Sequence, residues 1–172
     1  MTKETIIKNI KELLPYVLIL IAVIVVRTFF VTPVLVNGNS MEKTLHENEV
    51  MLLNKRGKIE RFSIIVIHVN EEINGQKYNE DLIKRVIALP GETVTCENGK
   101  IYVNGKIQED DYAFGTTSNF EPIELGEDEY FAMGDNREVS LDSRYFGAFN
   151  IKQIKGTADF ILFPFKRWGH VE

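Results

Sequence analysis

The chain begins with a long apolar stretch and continues with short apolar segments separated by polar turns. From Leu13 to Val26 the sequence LLPYVLILIAVIVV carries no charge, and after Arg27 and Thr28 it resumes as FFVTPVLV. A helix needs roughly 20 mostly apolar residues to cross the hydrocarbon core of a bilayer, and an arginine near one end can reach the interface. The pattern therefore predicts a transmembrane helix over residues 13–32.

Two other interpretations of this stretch are a buried core helix and a cleavable signal peptide. A cleavable signal peptide ends in a small-x-small pattern, but the residues after the apolar run, from Val31 to Val34, are mostly too bulky for one. We therefore expect a retained anchor.

The charges on either side of the predicted span bear on its orientation. Three lysines lie in residues 1–12, and the positive-inside tendency would keep this segment in the cytoplasm and place residues 33–172 outside the membrane. Arg27 and four basic residues between positions 55 and 61 favour the opposite orientation. Long domains translocate largely regardless of their charge.

After the anchor, the pattern is that of a β protein. Pro33 disfavours continued helix, and no helical periodicity follows it. Short segments rich in β-branched and aromatic residues alternate with turn residues, which predicts strands at 50–54, 62–69, 82–89, 93–96, 101–104, 130–133 and 157–163. We therefore predict a mainly β fold in one domain.

Turn residues give more detail in the middle of the chain. The pairs Asn98-Gly99 and Asn104-Gly105 favour tight hairpin turns, because both residue types tolerate positive φ. They predict a small β meander at about 93–108. The acidic, weakly periodic segment from about 110 to 128 is predicted to be a long surface loop.

Composition excludes several functional classes. The 172 residues carry a net charge of -5, which gives no reason to expect a nucleic acid as partner. The single cysteine, Cys96, permits no internal disulfide. His46, His68 and His170 are scattered and lack the spacing of metal ligands, so we predict no metal site.

Ser40, in the stretch NGNSMEKTL, is a candidate nucleophile. A serine beside Asn and Gly is most often a turn residue or a helix cap, and no histidine is spaced to activate it. A lysine can act as the base if burial lowers its pKa from about 10.4 toward roughly 7 to 8. Lys84, flanked in its strand by Leu82 and Val86, is either such a desolvated amine or a strand-edge lysine that reaches solvent.

A third polar stretch, GDNREVSLDSRYFG at 134–147, follows an apolar strand. Its aspartates and arginines can form a charge-paired loop around Ser140. The alternative is a solvated turn whose ion pairs contribute little to stability.

Together, the three stretches resemble the bacterial type I signal peptidases, membrane-anchored serine-lysine proteases that cleave signal peptides from exported proteins. SMEKTL resembles the family's Ser-Met-x-Pro-Thr-Leu box, and KRVIALPGE resembles its Lys-Arg-Val-x-x-x-Pro-Gly box. GDNREVSLDSRYFG resembles the third box, Gly-Asp-Asn-Arg-x-x-Ser-x-Asp-Ser-Arg-x-x-Gly. The order and spacing of the boxes agree, and the resemblance covers about residues 13 to 165.

The resemblance implies a single antiparallel β catalytic domain, built of coiled sheets or a partly open barrel, outside the cell membrane. Ser40 would be the nucleophile and Lys84 the general base, while Ser140 would hydrogen-bond to the lysine amine and orient it. Further implied roles are those of loop-bracing residues (Asp135, Asp142, Arg144), oxyanion donors (the Ser40 N–H, helped by the Gly38 backbone) and substrate-binding residues (Val34, Val36, Met41, Leu45, Ile83). The implied partners are exported preproteins and membrane lipid, and no cofactor is expected.

The sequence departs from the family pattern at three positions, and two other functions remain as alternatives. Lys43 replaces the proline of the first box, Gly38 replaces a hydroxyl that some members direct at the oxyanion, and Ser63 replaces an acidic residue. A self-cleaving serine-lysine regulator would carry a DNA-binding helical domain, which nothing in the sequence resembles. A non-catalytic membrane-tethered β binding module would not need both Ser40 and Lys84. Endoplasmic-reticulum-type relatives use histidine where Lys84 stands.

Overall fold

In a computed structural model, residues 3–171 are described; Met1, Thr2 and Glu172, which belong to the predicted terminal segments, lie outside the described residues. The helices are α1 (Lys3–Phe29) and α2 (Ser143–Phe146). The strands are β1 (Val31–Leu35), β2 (Val50–Asn54), β3 (Ile64–Ile73), β4 (Gln76–Ala88), β5 (Thr93–Glu97), β6 (Lys100–Val103), β7 (Lys106–Ile107), β8 (Phe120–Glu124), β9 (Glu129–Met133), β10 (Phe149–Asn150), β11 (Ile154–Phe163) and β12 (Gly169–His170).

Helix α1 contains a segment that is long and apolar enough to cross a membrane. Residues Lys11–Phe29 have a mean hydropathy of 2.1, and none of this 19-residue segment is buried against the rest of the protein. The helix ends at Phe29, so Val31 and Thr32, which the sequence assigned to the span, begin β1 instead. The β-branched and aromatic residues before Pro33 favour this extended continuation.

The larger sheet has the order β1-β2-β11-β3-β4-β9-β10, with β12 added to β11, and its strand pairs are antiparallel. The predicted mainly β, antiparallel fold is confirmed. Strands β3 and β4 form a hairpin that is longer than predicted, because pairing continues through a polar stretch to Asn74 and Gly75. Both turn residues have positive φ, 53° and 79°, as a tight hairpin turn requires.

The smaller sheet has the order β7-β6-β5-β8. Strands β5, β6 and β7 follow one another as a meander. The prediction of a continuous loop from 110 to 128 is wrong, because β8 forms within it and pairs antiparallel with β5. The ring of Phe120 packs 5.3 Å from that of Phe131, measured between centroids, so contact with the core stabilises a strand that its own weak alternation did not indicate.

Two strand edges of the larger sheet remain open where the site lies. Among the described strands β1 pairs with β2 alone, and Pro33, which has no N–H to donate, is accommodated on such an edge. Strand β4 pairs with β9 only from Arg85 onward, so residues 79–84 have a neighbour on one side alone. These two edges border the same groove.

Candidate active site

Ser40 lies in a turn that begins just after β1. Two fully or nearly fully buried side chains on its C-terminal side, Met41 (2% exposed) and Leu45 (0%), anchor this turn in the core. The carbonyl of Ser40 accepts a hydrogen bond of 3.0 Å from the backbone N–H of Asn136. Packing in the core and the 134–147 segment therefore both hold the turn that carries Ser40.

Lys84 lies on β4 with its amine directed at Ser40. Its Nζ is 2.7 Å from Ser40 Oγ, and the residue is only 3% exposed. Burial lowers the pKa of Lys84 from 10.5 to about 8, although the charges of Asp142, Glu80 and Asp135 oppose the shift. At pH 7 a pKa of about 8 leaves roughly a tenth of the amines neutral, so the base form is accessible near neutral pH.

A buried ion pair behind the dyad joins the three sequence motifs. Arg85 binds Asp135 through Nε and Nη2, each at 2.8 Å from a different carboxylate oxygen. Asp135 also accepts a 2.5 Å hydrogen bond from Thr44 Oγ1, and the Tyr112 ring covers the Arg85 guanidinium at 3.6 Å. Sequence reasoning missed Arg85, Thr44 and Tyr112, although an arginine in an apolar strand was a signal that it needed a buried partner.

A second ion pair braces the loop that carries Ser140. Arg144 donates to Asp142 from Nε at 2.9 Å and from Nη2 at 2.8 Å, and the backbone N–H of Gly134 adds a bond of 3.0 Å. Burial alone would raise the pKa of Asp142, but the bonds and charge of Arg144 outweigh it and hold this pKa below its ordinary value. The Asp142 carboxylate therefore stays charged and continues to bind Arg144 and the Gly134 N–H, which fixes the loop.

The structure shows no hydrogen bond between Ser140 and Lys84, and the predicted role of Ser140 stays a prediction. Its Oγ is buried, and the Lys84 amine contacts Ser40 Oγ instead. The Ser140 hydroxyl lies beside the Asp142 carboxylate and helps to hold the pKa of that group down. Because Gly134 has no side chain, Ser140 Oγ and the Ser40 carbonyl oxygen can both pack closely against its Cα. A Cβ added there would lie 2.3 Å from Ser140 Oγ and 2.5 Å from the Ser40 carbonyl oxygen. Gly134 is thus a further site residue that sequence reasoning missed.

The backbone at and before Ser40 is open to a ligand. The N–H of Ser40 donates no hydrogen bond to the part of the chain that the structure describes. Gly38 has φ of +78°, and a Cβ there would meet no atom within 4 Å. An oxyanion can approach these groups without displacing protein atoms.

A groove of about 980 Å³ runs between β1 and β4 and ends at the dyad. Four of the five predicted substrate-binding residues line it: Val34, Val36, Met41 and Ile83. Leu45 does not, because its side chain is fully buried in the core, so we drop it from the predicted substrate surface. At the end remote from Ser40 the lining becomes polar, with Lys55, His68, Asp81 and Lys155.

A histidine mechanism does not fit the contacts. His68 Nδ1 lies 2.9 Å from Asp81 Oδ1, but the side chain that contacts Ser40 Oγ is Lys84. Within the described residues, no group of three or more His, Cys, Asp or Glu side chains is arranged to hold a metal ion. The chemistry available at Ser40 is therefore that of a serine beside a buried amine.

Lys43 explains how the turn tolerates a missing proline. Its φ is +71°, which a proline ring cannot adopt, and its Nζ lies 4.6 Å above the ring of Phe114. The turn after Ser40 thus follows a different backbone path, anchored by a cation–π contact rather than by a fixed φ.

Comparison with known proteins gives one consistent family. The family model described as "Signal peptidase, peptidase S26" matches residues 9–163. Signal peptidase I of Bacillus amyloliquefaciens is 37% identical over 165 residues, which cover 87% of this chain and 85% of the relative. Signal peptidase IB of Staphylococcus aureus (strain Mu50) is 34% identical over 187 residues, which cover 93% of this chain and 94% of the relative.

A solved structure agrees with these relatives. The crystal structure of a signal peptidase I from Enterococcus faecalis V583 is 30% identical in sequence, with a TM-score of 0.50. The match covers 59% of this chain and 97% of that one. The resemblance drawn from the three motifs is confirmed.

Proposed function

This chain belongs to the signal peptidase family, peptidase S26, and we propose that it removes N-terminal signal peptides from exported preproteins with Ser40 as nucleophile and Lys84 as general base. The observation that carries the proposal is the 2.7 Å separation of Lys84 Nζ and Ser40 Oγ. The lysine is buried, so its neutral form is populated where an exposed lysine would be almost entirely charged.

The reaction proceeds through an acyl-enzyme. Neutral Lys84 takes the proton of Ser40 Oγ as the oxygen attacks the scissile carbonyl. The Ser40 N–H, with the Gly38 backbone, stabilises the negative oxygen that develops. Protonated Lys84 then gives its proton to the leaving amine, and the mature protein departs. Lys84, neutral again, activates the water that hydrolyses the ester.

Ser140 has its role after acylation. Once Ser40 Oγ is esterified, it can no longer offer a proton to the amine, which then needs a new partner. Ser140 Oγ is buried beside Gly134, close to the Ser40 carbonyl. A hydrogen bond donated by an amine N–H to this hydroxyl oxygen would aim the amine's lone pair at the hydrolytic water. Asp135, Asp142 and Arg144 hold the loop in place.

The substrate binds as an extended strand. Both walls of the groove are open strand edges, β1 on one side and residues 79–84 of β4 on the other, which offer backbone groups to a peptide. Alternate side chains of an extended peptide point to the same face. Those facing Val34, Val36, Met41 and Ile83 meet a shallow apolar surface. Small residues at alternate positions before the cut fit there, which gives small-x-small specificity.

Helix α1 anchors the enzyme in the cell membrane, with residues 1–12 in the cytoplasm and the catalytic region, residues 33–172, outside. An exposed apolar patch supports contact of that region with lipid. Phe163, Phe165 and Trp168 are 51%, 75% and 57% exposed, and Leu35 is 49% exposed. Leu35 and Phe163 flank the same residue of β2, Val50, so the patch is continuous across three strands.

Mapping of the cut tests the function. The full chain in detergent is incubated with a synthetic signal peptide ending in Ala-x-Ala and followed by several mature residues, and the products are identified by mass spectrometry. We expect a single cut after the second Ala, and no cut by the Ser40→Ala variant. An uncut peptide would support a non-catalytic binding module, while cleavage of the enzyme alone would support a self-cleaving regulator.

A further inference from the structure

Four basic residues lie in the two chain segments that meet where α1 joins the β domain. We call them the basic collar: Arg27 in the last turn of α1, and Lys55, Arg56 and Lys58 in the turn after β2. All four are exposed. Arg27, Lys55 and Arg56 have no carboxylate partner within residues 3–171, and Lys58 pairs only with the exposed Glu60. Such a concentration of unpaired cations is unexpected in a chain of net charge -5.

Direct contacts fix the collar to the end of the helix. Lys55 Nζ donates to the carbonyl oxygens of Arg27 and Thr28, at 3.2 and 2.8 Å, and the Lys55 N–H donates to the Phe30 carbonyl at 2.9 Å. The guanidinium carbon of Arg56 lies 5.0 Å from the centre of the Phe30 ring. The turn after β2 therefore cannot move away from the helix end without breaking these bonds.

This attachment determines where the collar lies in a membrane. The apolar segment ends at Phe29, so a helix that spans the bilayer places its last turn at the level of the lipid headgroups. Residues that contact the last turn must lie at the same level. The step rests on the proposed function only in that it assumes α1 to be the membrane anchor.

We propose that the basic collar is a binding site for the headgroup of an anionic phospholipid. Guanidinium groups match a phosphate with paired N–H donors, and within residues 3–171 Arg27 and Arg56 are the two arginines without a carboxylate partner. A lipid bound there would also fix the tilt of the catalytic region. Lys55 both contacts the helix end and lines the groove. The Lys55 end of the groove would therefore lie at the level of the headgroups, where a substrate emerges from the bilayer.

The proposal is tested by lipid selectivity of the full chain in bilayers. Proteoliposomes are prepared with either spin-labelled phosphatidylglycerol or spin-labelled phosphatidylcholine. For each lipid, the fraction whose motion is restricted by contact with the protein is measured from the spin-label spectrum. The test variant is Arg27→Gln/Arg56→Gln. The matched control is Lys100→Gln/Lys106→Gln, which removes the same charge from exposed positions in the smaller sheet.

We expect the wild type and the control to enrich phosphatidylglycerol and the test variant to lose this preference by about fivefold or more, since each basic residue near a charged bilayer changes affinity by about that factor. Equal restriction of both lipids by the wild type would overturn the proposal, as would unchanged selectivity in the test variant. Loss of the preference on adding excess inorganic phosphate, at constant ionic strength, would assign the site to free phosphate instead.

Two readouts separate this proposal from the proposed function. Cleavage of the soluble Ala-x-Ala peptide in detergent should be the same in wild type, test and control variants, because the collar does not touch the dyad. A wild type that selects the anionic lipid but cuts no peptide would refute the proposed function alone. Reduced preprotein processing in cells by the test variant, with unchanged lipid selectivity, would assign the collar to a protein partner and overturn the lipid site.

Discussion

Lys84 Nζ lies 2.7 Å from Ser40 Oγ, although the two residues are 44 positions apart in the chain. The contact joins the turn after β1 to β4 near the open end of the β3–β4 hairpin, where Lys84 pairs with Ile65. Strands β2, β11 and β3 lie between β1 and β4 in the larger sheet.

The rate of peptide cleavage should rise with pH. Because burial lowers the pKa of Lys84 to about 8, the neutral base increases about tenfold from pH 6 to pH 7 and levels off above pH 8 to 9. We expect kcat/KM for the Ala-x-Ala peptide to follow a single ionisation with a midpoint near 8. A flat profile between pH 6 and 9 would contradict the role of Lys84 as base.

At pH values below 10.5, the pKa of an unfolded-state lysine, the burial of Lys84 should also reduce the stability of the fold. The folded-state pKa of about 8 lies below the unfolded value of 10.5, so between these pH values the unfolded chain binds more protons, and stability rises with pH. The free energy of unfolding should increase by about 3 kcal/mol across this window through Lys84 alone.

Urea unfolding of the full chain in detergent, followed by the fluorescence of Trp168, measures this effect as a difference between variants. Lys84→Met should lack the increase and be more stable than the wild type at pH 7. Lys77→Met, which removes an exposed lysine from the same strand, should keep the wild-type pH dependence. Identical pH dependence in all three proteins would show that Lys84 is not desolvated.

Replacement of Ser140 should separate activity from stability. Ser140→Ala removes a buried hydroxyl that makes no hydrogen bond to Lys84 but lies beside Asp142, so the free energy of unfolding should change by no more than about 1 kcal/mol. The turnover number should fall by about 100-fold with little change in KM, because the amine is less well aimed. Both quantities come from urea unfolding and steady-state kinetics.

Ser143 provides the control for this experiment. It is a buried serine of the same loop whose Oγ accepts a 2.9 Å hydrogen bond from the Ala132 N–H. Ser143→Ala should lower stability by about 1 kcal/mol and leave the turnover number close to that of the wild type. An unchanged turnover number in Ser140→Ala would remove Ser140 from the mechanism.

Gly134 should tolerate no side chain. In Gly134→Ala the new Cβ would overlap Ser140 Oγ and the Ser40 carbonyl oxygen, which is backbone and cannot rotate away. We expect a loss of at least about 2 kcal/mol of stability and of most activity, measured as above. Gly126→Ala is the control, since its Cβ would meet only the flexible side chain of Glu129 at 3.3 Å or more. Wild-type activity in Gly134→Ala would show that the close approach is not needed.

The sequence predicted the parts of the site that local motifs encode. Ser40, Lys84, Asp135, Asp142 and Arg144 stand in short boxes whose spacing is independent of the rest of the fold. The roles of Arg85 and Thr44 are set by a contact with Asp135 in a third segment, so no local pattern could assign them. Leu45 was predicted to bind substrate because it is close to Ser40 in the sequence, but its side chain is buried in the core.

The fold was predictable wherever alternation and turn chemistry agreed. The apolar strands were found, but β8 was missed because its residues FEPIE alternate weakly and owe their order to packing on Phe131. The β3–β4 hairpin was predicted too short because its outer half is polar. In that case the sequence did carry the signal, an Asn-Gly pair at 74–75.

The most direct test of the serine-lysine mechanism is the turnover number of the full chain on the Ala-x-Ala peptide when either member of the dyad is removed. Ser40→Ala and Lys84→Ala should each lose at least about 1000-fold, and the double variant should lose no more than either single one, since the two residues act as a unit. Lys77→Ala should keep the wild-type rate. Retention of more than about a tenth of the wild-type turnover number by Lys84→Ala or by Ser40→Ala would contradict the account.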